Sequence, residues 1–477
     1  VKTNITVCLV VFIANPLFAQ HERYELGLRL RQFEKAWDQV PDPAGRKRAL
    51  GIVVNATNQF FSLKFGEAGK TLDAARWALK NAEPRTDDQL WVASLMMKPE
   101  KRIFDESAKS MKVTIDHFYK VKGPVPVGAE CEIQVYRTTS LLREGVKVPL
   151  TKLPVTVDIE LPEDTSGNLT LRMIGHTNQE SLTSSVEVAR IRDPKGRLAK
   201  LRQMLDAGIT DASVKATVKD RIEWLSDLLD GGCPETDFPY ESYLATGEGI
   251  AARAAIDRFP RLVLSPQDAK RADEFWLSFA VANKQIAPVR IGRPPVVATK
   301  TAVPVVFALH GAGGSENMFF DTYGDGHIVE ECMSRNWMLV ATRSPGFTSS
   351  PPVAELIEQI DRMQTIDRKN VFLVGHSMGA GQVVDLCQKH PGLFAGAAVL
   401  GGGGRLRNAK AFESLPTFIG VGDKDFAFTG AKSLNQALSK DAKQLTFKTY
   451  PNVEHLVIVR EALPDVFAMF DESMKAR

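Results

Sequence analysis

The stretch Val371-Phe-Leu-Val-Gly-His-Ser-Met-Gly-Ala380 decides how this chain reads. Four apolar residues run into Gly375-His376-Ser377-Met378-Gly379, and a helix-like series of small and apolar residues follows. A short unbroken apolar run fits a strand buried on both faces. A serine at a sharp strand-to-helix turn needs glycine on each side, because backbone segments approach closely there and the central residue is strained. Ser377 is therefore a candidate nucleophile, and the competing reading is a buried turn serine. The five-residue pattern alone is weak; its weight comes from the strand before it and the helix after it.

Upstream, Val303-Pro-Val-Val-Phe-Ala-Leu309 is another buried-strand run, with Pro304 near its start, where a missing N–H is tolerated. It ends in His310-Gly-Ala-Gly-Gly314, a turn able to keep N–H groups free for a developing oxyanion. A phosphate loop is excluded, since no G-x-x-x-x-G-K-[ST] occurs here, and the G-x-G-x-x-G spacing of a dinucleotide fold is absent from this turn. Downstream, Leu415-Pro-Thr-Phe-Ile-Gly-Val-Gly422 reads as a strand leading to Asp423-Lys-Asp425. Leu445-Thr-Phe-Lys-Thr-Tyr450 leads to Pro451-Asn-Val-Glu-His455. In open α/β sheets the chemistry lies beyond the carboxyl ends of the strands. Ser377, the 310–314 turn, Asp425 and His455 all follow such ends, in the order Ser, Asp, His.

His455 alone among the eight histidines lies between a late strand and a final helix, so it is the candidate base. His376, beside the serine in a tight turn, is expected to pack or to line the cleft mouth. For the group that orients the base, Asp425 is preferred, Asp423 competes, and Glu454 is too close in sequence to bond a ring that faces the serine.

From about Arg290 to Arg477 the chain resembles the α/β-hydrolase superfamily. It is similar to esterases grouped with polyhydroxybutyrate depolymerases and feruloyl esterases, and to the catalytic domains of prolyl-oligopeptidase relatives. The matching pieces are Leu309-His-Gly-Ala-Gly-Gly314, Asp367 to Ala380, Gly422-Asp-Lys-Asp425 and Tyr450-Pro-Asn-Val-Glu-His455. The resemblance implies Ser377 as nucleophile, Asp425 as acid, His455 as base, and the backbone N–H groups of Ala312 and Met378 as an oxyanion hole. Departures are Ala380 where the family often has a second glycine and Glu454 where many relatives have glycine. The span from Ser377 to Asp425 holds one helix, one strand and a glycine-rich turn, which leaves no room for a large lid. The loop from Phe319 to His327 and the segment Arg343 to Phe347 are candidate cleft borders, and the former reads equally well as plain surface.

The 477 residues suggest about two to four domains. Val1-Lys2, an apolar run from Val7 to Ala14 and Leu17-Phe-Ala19 describe a signal peptide over residues 1–19, and hence export to the periplasm, cell envelope or medium. The run is too short for a membrane anchor, so no integral membrane segment is expected after processing. Residues 20–120 read as helical. Residues 121–193 read as a small β-sandwich-like domain of half-buried strands. Residues 194–286 read as helical again. Residues 287–477 read as the α/β-hydrolase domain, with a doubly wound, mostly parallel sheet. Cys131, Cys233, Cys332 and Cys387 are scattered, which argues for buried thiols over a structural metal; no cofactor is expected. With 60 basic and 57 acidic residues and no basic tract, nucleic acid is not implied as a partner.

The expected activity is hydrolysis of small or polymeric carboxylic esters through an acyl-enzyme, with the β domain a possible carbohydrate contact. Two other readings are a serine peptidase of the prolyl-oligopeptidase type and a non-catalytic envelope protein built on a hydrolase core. Because every candidate group follows Arg290 to Ala302, a chain beginning near Ala287 is expected to keep activity on small esters.

Overall fold

The computed structural model describes residues 16–475 apart from 164–165, 179–180, 242, 246–247, 249–272, 295–300, 345 and 347–348. The apolar runs assemble into one eight-stranded sheet. Within it the strands are β1 (Asp273–Ala280), β2 (Ile286–Arg293), β3 (Val303–Leu309), β4 (Met338–Thr342), β5 (Ile366–His376), β6 (Gly396–Leu400), β7 (Thr417–Gly422) and β8 (Leu445–Tyr450). Their order is β8-β7-β6-β5-β3-β4-β2-β1. Strands β3 to β8 are parallel, and β2 runs antiparallel to both β4 and β1. Every residue of β4, β6 and β7 is buried, as a sheet covered on both faces requires, whereas edge strand β8 buries only Tyr450. This is the doubly wound sheet of the α/β-hydrolase fold.

Alternate residues of β3 enter two different cores. Val303, Val305, Phe307 and Leu309 pack with Val383 and Val384 of the Met378–Lys389 helix. Leu198, Leu201, Leu225 and Leu228 of helices Pro194–Asp206 and Ala212–Leu229 join the same core. Val306 and Ala308 point the other way, toward Leu463, Val466, Phe467 and Phe470 of the Ile458–Lys475 helix. That second core also takes Phe33 and Trp37 of α1 (Pro16–Gln39) and Leu50 and Val53 of α2 (Pro43–Val53). Ala56 of α3 (Ala56–Phe61) and Leu72, Ala75 and Leu79 of α4 (Phe65–Lys80) complete it. Polar contacts reinforce the docking: Trp37 Nε1 and Arg46 reach Glu461 at 2.9 and 3.1 Å, and Arg460 reaches Asp38 at 2.6 Å.

This packing places a sheet strand and shared core residues ahead of the boundary expected near Ala287. Ala287 falls inside β2, and β1 lies ahead of it, in the stretch read as helical. Arg290, at the start of the supposed linker, is a buried β2 residue that bonds Glu274 and Asp321 and lies 4.4 Å from the Trp276 ring centroid. Part of the rest of that linker, 295–300, lies outside the described residues.

In the sequence, between these helices and β1, lies a separate pair of sheets that begins at Leu95, inside the stretch read as helical. Strands Leu95–Pro99, Ser110–His117 and Val155–Glu160 make a three-stranded sheet. Ile103–Asp105, Ser181–Ile191, Gly167–His176, Glu130–Arg137 and Ser140–Pro149 make a five-stranded one. Met111, Val113 and Ile115 of the first share a core with Ile133, Leu171 and Val188 of the second, which is the sandwich arrangement. The signal-peptide reading falls mostly on residues 1–15, outside the described residues; from Pro16 the chain is helical. Cys131, Cys233, Cys332 and Cys387 are free and buried. Among the described residues no helix is long and apolar enough to cross a membrane.

Candidate active site

Strand β5 ends at His376, and the chain reverses at Ser377 into the Met378–Lys389 helix. Ser377 has φ 56° and ψ −112°, a conformation that non-glycine residues rarely adopt and that marks a strained turn. Its neighbours explain the glycines. A Cβ on Gly375 would lie 2.2 Å from the Gly379 carbonyl oxygen, and one on Gly379 would lie 2.0 Å from that of Leu309. Gly402, beyond β6, is less tightly confined, 2.8 Å from the Ser377 carbonyl oxygen by the same measure. Backbone on three sides therefore fixes where Ser377 Oγ emerges, at the positive end of the following helix dipole.

The three side chains selected by sequence converge. Ser377 Oγ lies 2.9 Å from His455 Nε2, and His455 Nδ1 lies 2.9 Å from Asp425 Oδ1. A carboxylate accepts, so Nδ1 carries the proton and Nε2 presents its lone pair to the serine hydroxyl. His455 and Asp425 are both 5 % exposed, which keeps water from competing for this bond. Asp425 Oδ1 also accepts from the Ala427 N–H at 2.8 Å, which sets the carboxylate plane. Asp423 turns elsewhere: its Oδ1 accepts from Asn452 N–H at 2.8 Å and fixes the turn after β8. Glu454, buried beside the base, accepts from the N–H groups of Leu456 and Val457, and burial pushes its carboxyl up to about 7.

The turn after β3 closes the other side. A Cβ on Gly311 would stand 3.2 Å from Ser377 Cβ, so this turn lies directly against the serine. The N–H groups of Ala312 and Met378 have no protein acceptor among the described residues. His310 is buried, donates from Nδ1 to the Gly311 carbonyl at 2.7 Å and accepts from Ser344 N–H at 3.0 Å, so its ring ties this turn to the chain after β4. Burial lowers its pKa, as a ring that must accept at Nε2 requires.

The role of Tyr323 is not legible in the sequence, whereas His376 is buried and packs as expected. Tyr323, in the loop read as a cleft border or plain surface, is 2 % exposed. Its hydroxyl accepts from Gly311 N–H at 3.2 Å and lies 2.9 Å from His376 Nδ1. His376 Nε2 in turn donates to the backbone carbonyl of His455 at 2.9 Å. That carbonyl can only accept, so Nδ1 is left to receive the tyrosine proton. Burial and the neighbouring His455 hold His376 well below its usual range, and it stays neutral. A buried chain of hydrogen bonds therefore runs from the 311 turn through Tyr323 and His376 to the loop of the candidate base. Glu34 of α1 anchors it by accepting from Gly324 N–H at 2.8 Å. The other cleft border, Arg343 to Phe347, includes Pro345 and Phe347, outside the described residues. Among the described residues no group of three or more His, Cys, Asp or Glu is placed to hold a metal.

The dienelactone hydrolase family model matches residues 346–468. No curated protein matches the chain. Similar solved structures include the feruloyl esterase module of Clostridium thermocellum, at 14 % identity over 44 % of this chain and 94 % of that one, with a TM-score of 0.37. An S-formylglutathione hydrolase from Agrobacterium tumefaciens is 15 % identical over 44 % and 98 %, also with a TM-score of 0.37. A thermostable esterase is 12 % identical over 80 % and 99 %, with a TM-score of 0.39.

Proposed function

We propose that the chain is a serine hydrolase that cleaves carboxylic esters. The observation that carries this reading is the unbroken relay from Ser377 Oγ through His455 to Asp425, both links at 2.9 Å, beside two backbone N–H groups that have no protein acceptor among the described residues. Ser377 Oγ attacks the ester carbonyl while His455 Nε2 takes its proton, and Asp425 stabilises the imidazolium and holds its tautomer. Charge developing on the carbonyl oxygen is received by the N–H groups of Ala312 and Met378, which need no reorganisation to bind it. His455 then returns the proton to the alcohol oxygen, the carbon–oxygen bond breaks, and an acyl-Ser377 ester remains. Water, deprotonated by the same imidazole, releases the acid and restores the serine.

Burst release of p-nitrophenol from p-nitrophenyl acetate, lost in Ser377→Ala, tests the proposal. A Ser377→Ala chain that turns over at the wild-type rate overturns it. Action after export is part of the proposal, resting on the apolar run Val7 to Ala14; N-terminal sequencing of the protein made by its own host tests that part.

A further inference from the structure

We propose that the N-terminal helix α3 walls the active-site cleft, and that Phe60, with Phe426, selects esters carrying an extended apolar group. The inference rests on the serine-hydrolase reading of Ser377. It starts from Gly313, next to the Ala312 N–H. Gly313 has φ 77°, and a Cβ there would lie 2.3 Å from Phe60 Cζ, so the phenyl ring rests on the backbone of the 310–314 turn. Two residues earlier the same turn abuts Ser377 Cβ. A carbonyl oxygen held by Ala312 and Met378 is thus within a residue or two of a ring supplied from some 250 positions upstream, outside the sheet.

Phe60 does not end the apolar surface. Its ring meets Phe61 edge-on at 5.5 Å and Phe65 at 5.9 Å. Phe61 is 53 % exposed and Leu63 47 % exposed. On the base side of Ser377, Phe426 is 62 % exposed with its ring centroid 4.2 Å from that of His455. Of the seven large apolar side chains exposed among the described residues, Phe61 and Leu63 adjoin Phe60 in the chain and Phe426 lies against His455. Exposed apolar side chains grouped beside the candidate nucleophile form a surface suited to an apolar ligand group. Its chemistry suits an aliphatic chain or similarly apolar group on the ester; a short polar ester leaves it wet.

The test compares kcat/KM for p-nitrophenyl octanoate and p-nitrophenyl acetate in the full-length wild type, Phe60→Ala and Phe61→Ser. Losing half of a buried phenyl contact is worth roughly a factor of ten, so Phe60→Ala is expected to lower the octanoate-to-acetate ratio about tenfold. Phe61→Ser, at an exposed site that does not threaten folding, is expected to lower it about threefold by the same reasoning. Should Phe60→Ala fail to fold, Phe61→Ser decides alone. A ratio unchanged in the folded variants, or an equal loss on both esters, overturns the inference. Labelling of Ser377 by a fluorophosphonate, run alongside, separates the two levels. Label with an unchanged ratio overturns this inference only; no label and no turnover in the wild type overturns the serine-hydrolase reading and the inference with it.

Discussion

His376 donates a 2.9 Å hydrogen bond from Nε2 to the backbone carbonyl of His455, so the residue before the candidate nucleophile holds the loop of the candidate base. The same ring is reached on its other nitrogen by Tyr323, whose hydroxyl also receives the Gly311 N–H. The turns that carry Ser377, His455 and Gly311 are thereby tied together by one buried hydrogen-bond network.

Tyr323→Phe removes the centre of that network and leaves the Gly311 N–H and His376 Nδ1 unpaired in a buried site. Stranding such groups costs about 1–3 kcal/mol. The variant is expected to lose stability by that amount, read from its urea midpoint. Its kcat is expected to fall about tenfold with KM little changed, because the reacting groups are displaced while the cleft is not. A loss confined to KM contradicts a positioning role.

Glu454 sets a pH dependence. Burial pushes its folded carboxyl up to about 7, above the roughly 4.3 of an unfolded glutamate. Between those values the folded chain keeps a proton that the unfolded chain has lost. Its contribution to stability is therefore full below the lower value and declines as pH rises to the upper one. Glu454→Gln keeps an oxygen for the Leu456 and Val457 N–H groups and removes the titration. Relative to wild type, the variant is expected to gain up to about 3 kcal/mol between about pH 5 and about pH 8. Parallel stability curves for the two proteins contradict this assignment.

Two glycines in one helix separate space from propensity. Gly379→Ala drives a Cβ to 2.0 Å from a β3 carbonyl oxygen, whereas one on Gly381 finds its nearest neighbour, the Gly403 oxygen, at 3.4 Å. The first is expected to lose more than about 3 kcal/mol, since backbone on both sides must move. The second is expected to be neutral or to gain up to about 1 kcal/mol from helix propensity. Thermal melts of the two variants check the contrast.

Much of this arrangement was legible in the sequence, and the gaps have physical causes. Strands β3, β6, β7 and the Val371–Val374 part of β5 announce themselves because strand segments covered on both faces are continuously apolar. Strand β1, Asp273-Glu-Phe-Trp-Leu-Ser-Phe-Ala280, carries no such signature; its partner β2 makes it a strand, and pairing is not written in a local window. Ser140–Pro149 lies within the stretch read as half-buried strands but, as an edge strand with register shifts and little burial, shows little of their alternation. Asp425 and Asp423 sit two residues apart, and only the turn geometry decides which faces the histidine. Tyr323 has no motif around it, and its role arises from a left-handed turn at Gly324 and Asp325 that sequence periodicity does not register.

Removal of the upstream region tests the shared core. A chain beginning at Ala287 loses β1 and uncovers the faces that α1, α2, α4 and the Pro194–Leu229 helices bury. Such a loss exceeds the roughly 5–15 kcal/mol by which a domain is stable. The truncated chain is expected to be insoluble or to lack a cooperative melt; a sharp melting transition in it contradicts the single packed unit described above.

The proposed acylation of Ser377, with His455 as its base, is tested most directly by rapid acid quenching during turnover of p-nitrophenyl acetate, followed by peptide mass spectrometry. An acetyl group on Ser377 is expected, and its near absence over the same interval in His455→Ala. An acetyl group on another residue, or undiminished acylation of Ser377 without His455, contradicts it.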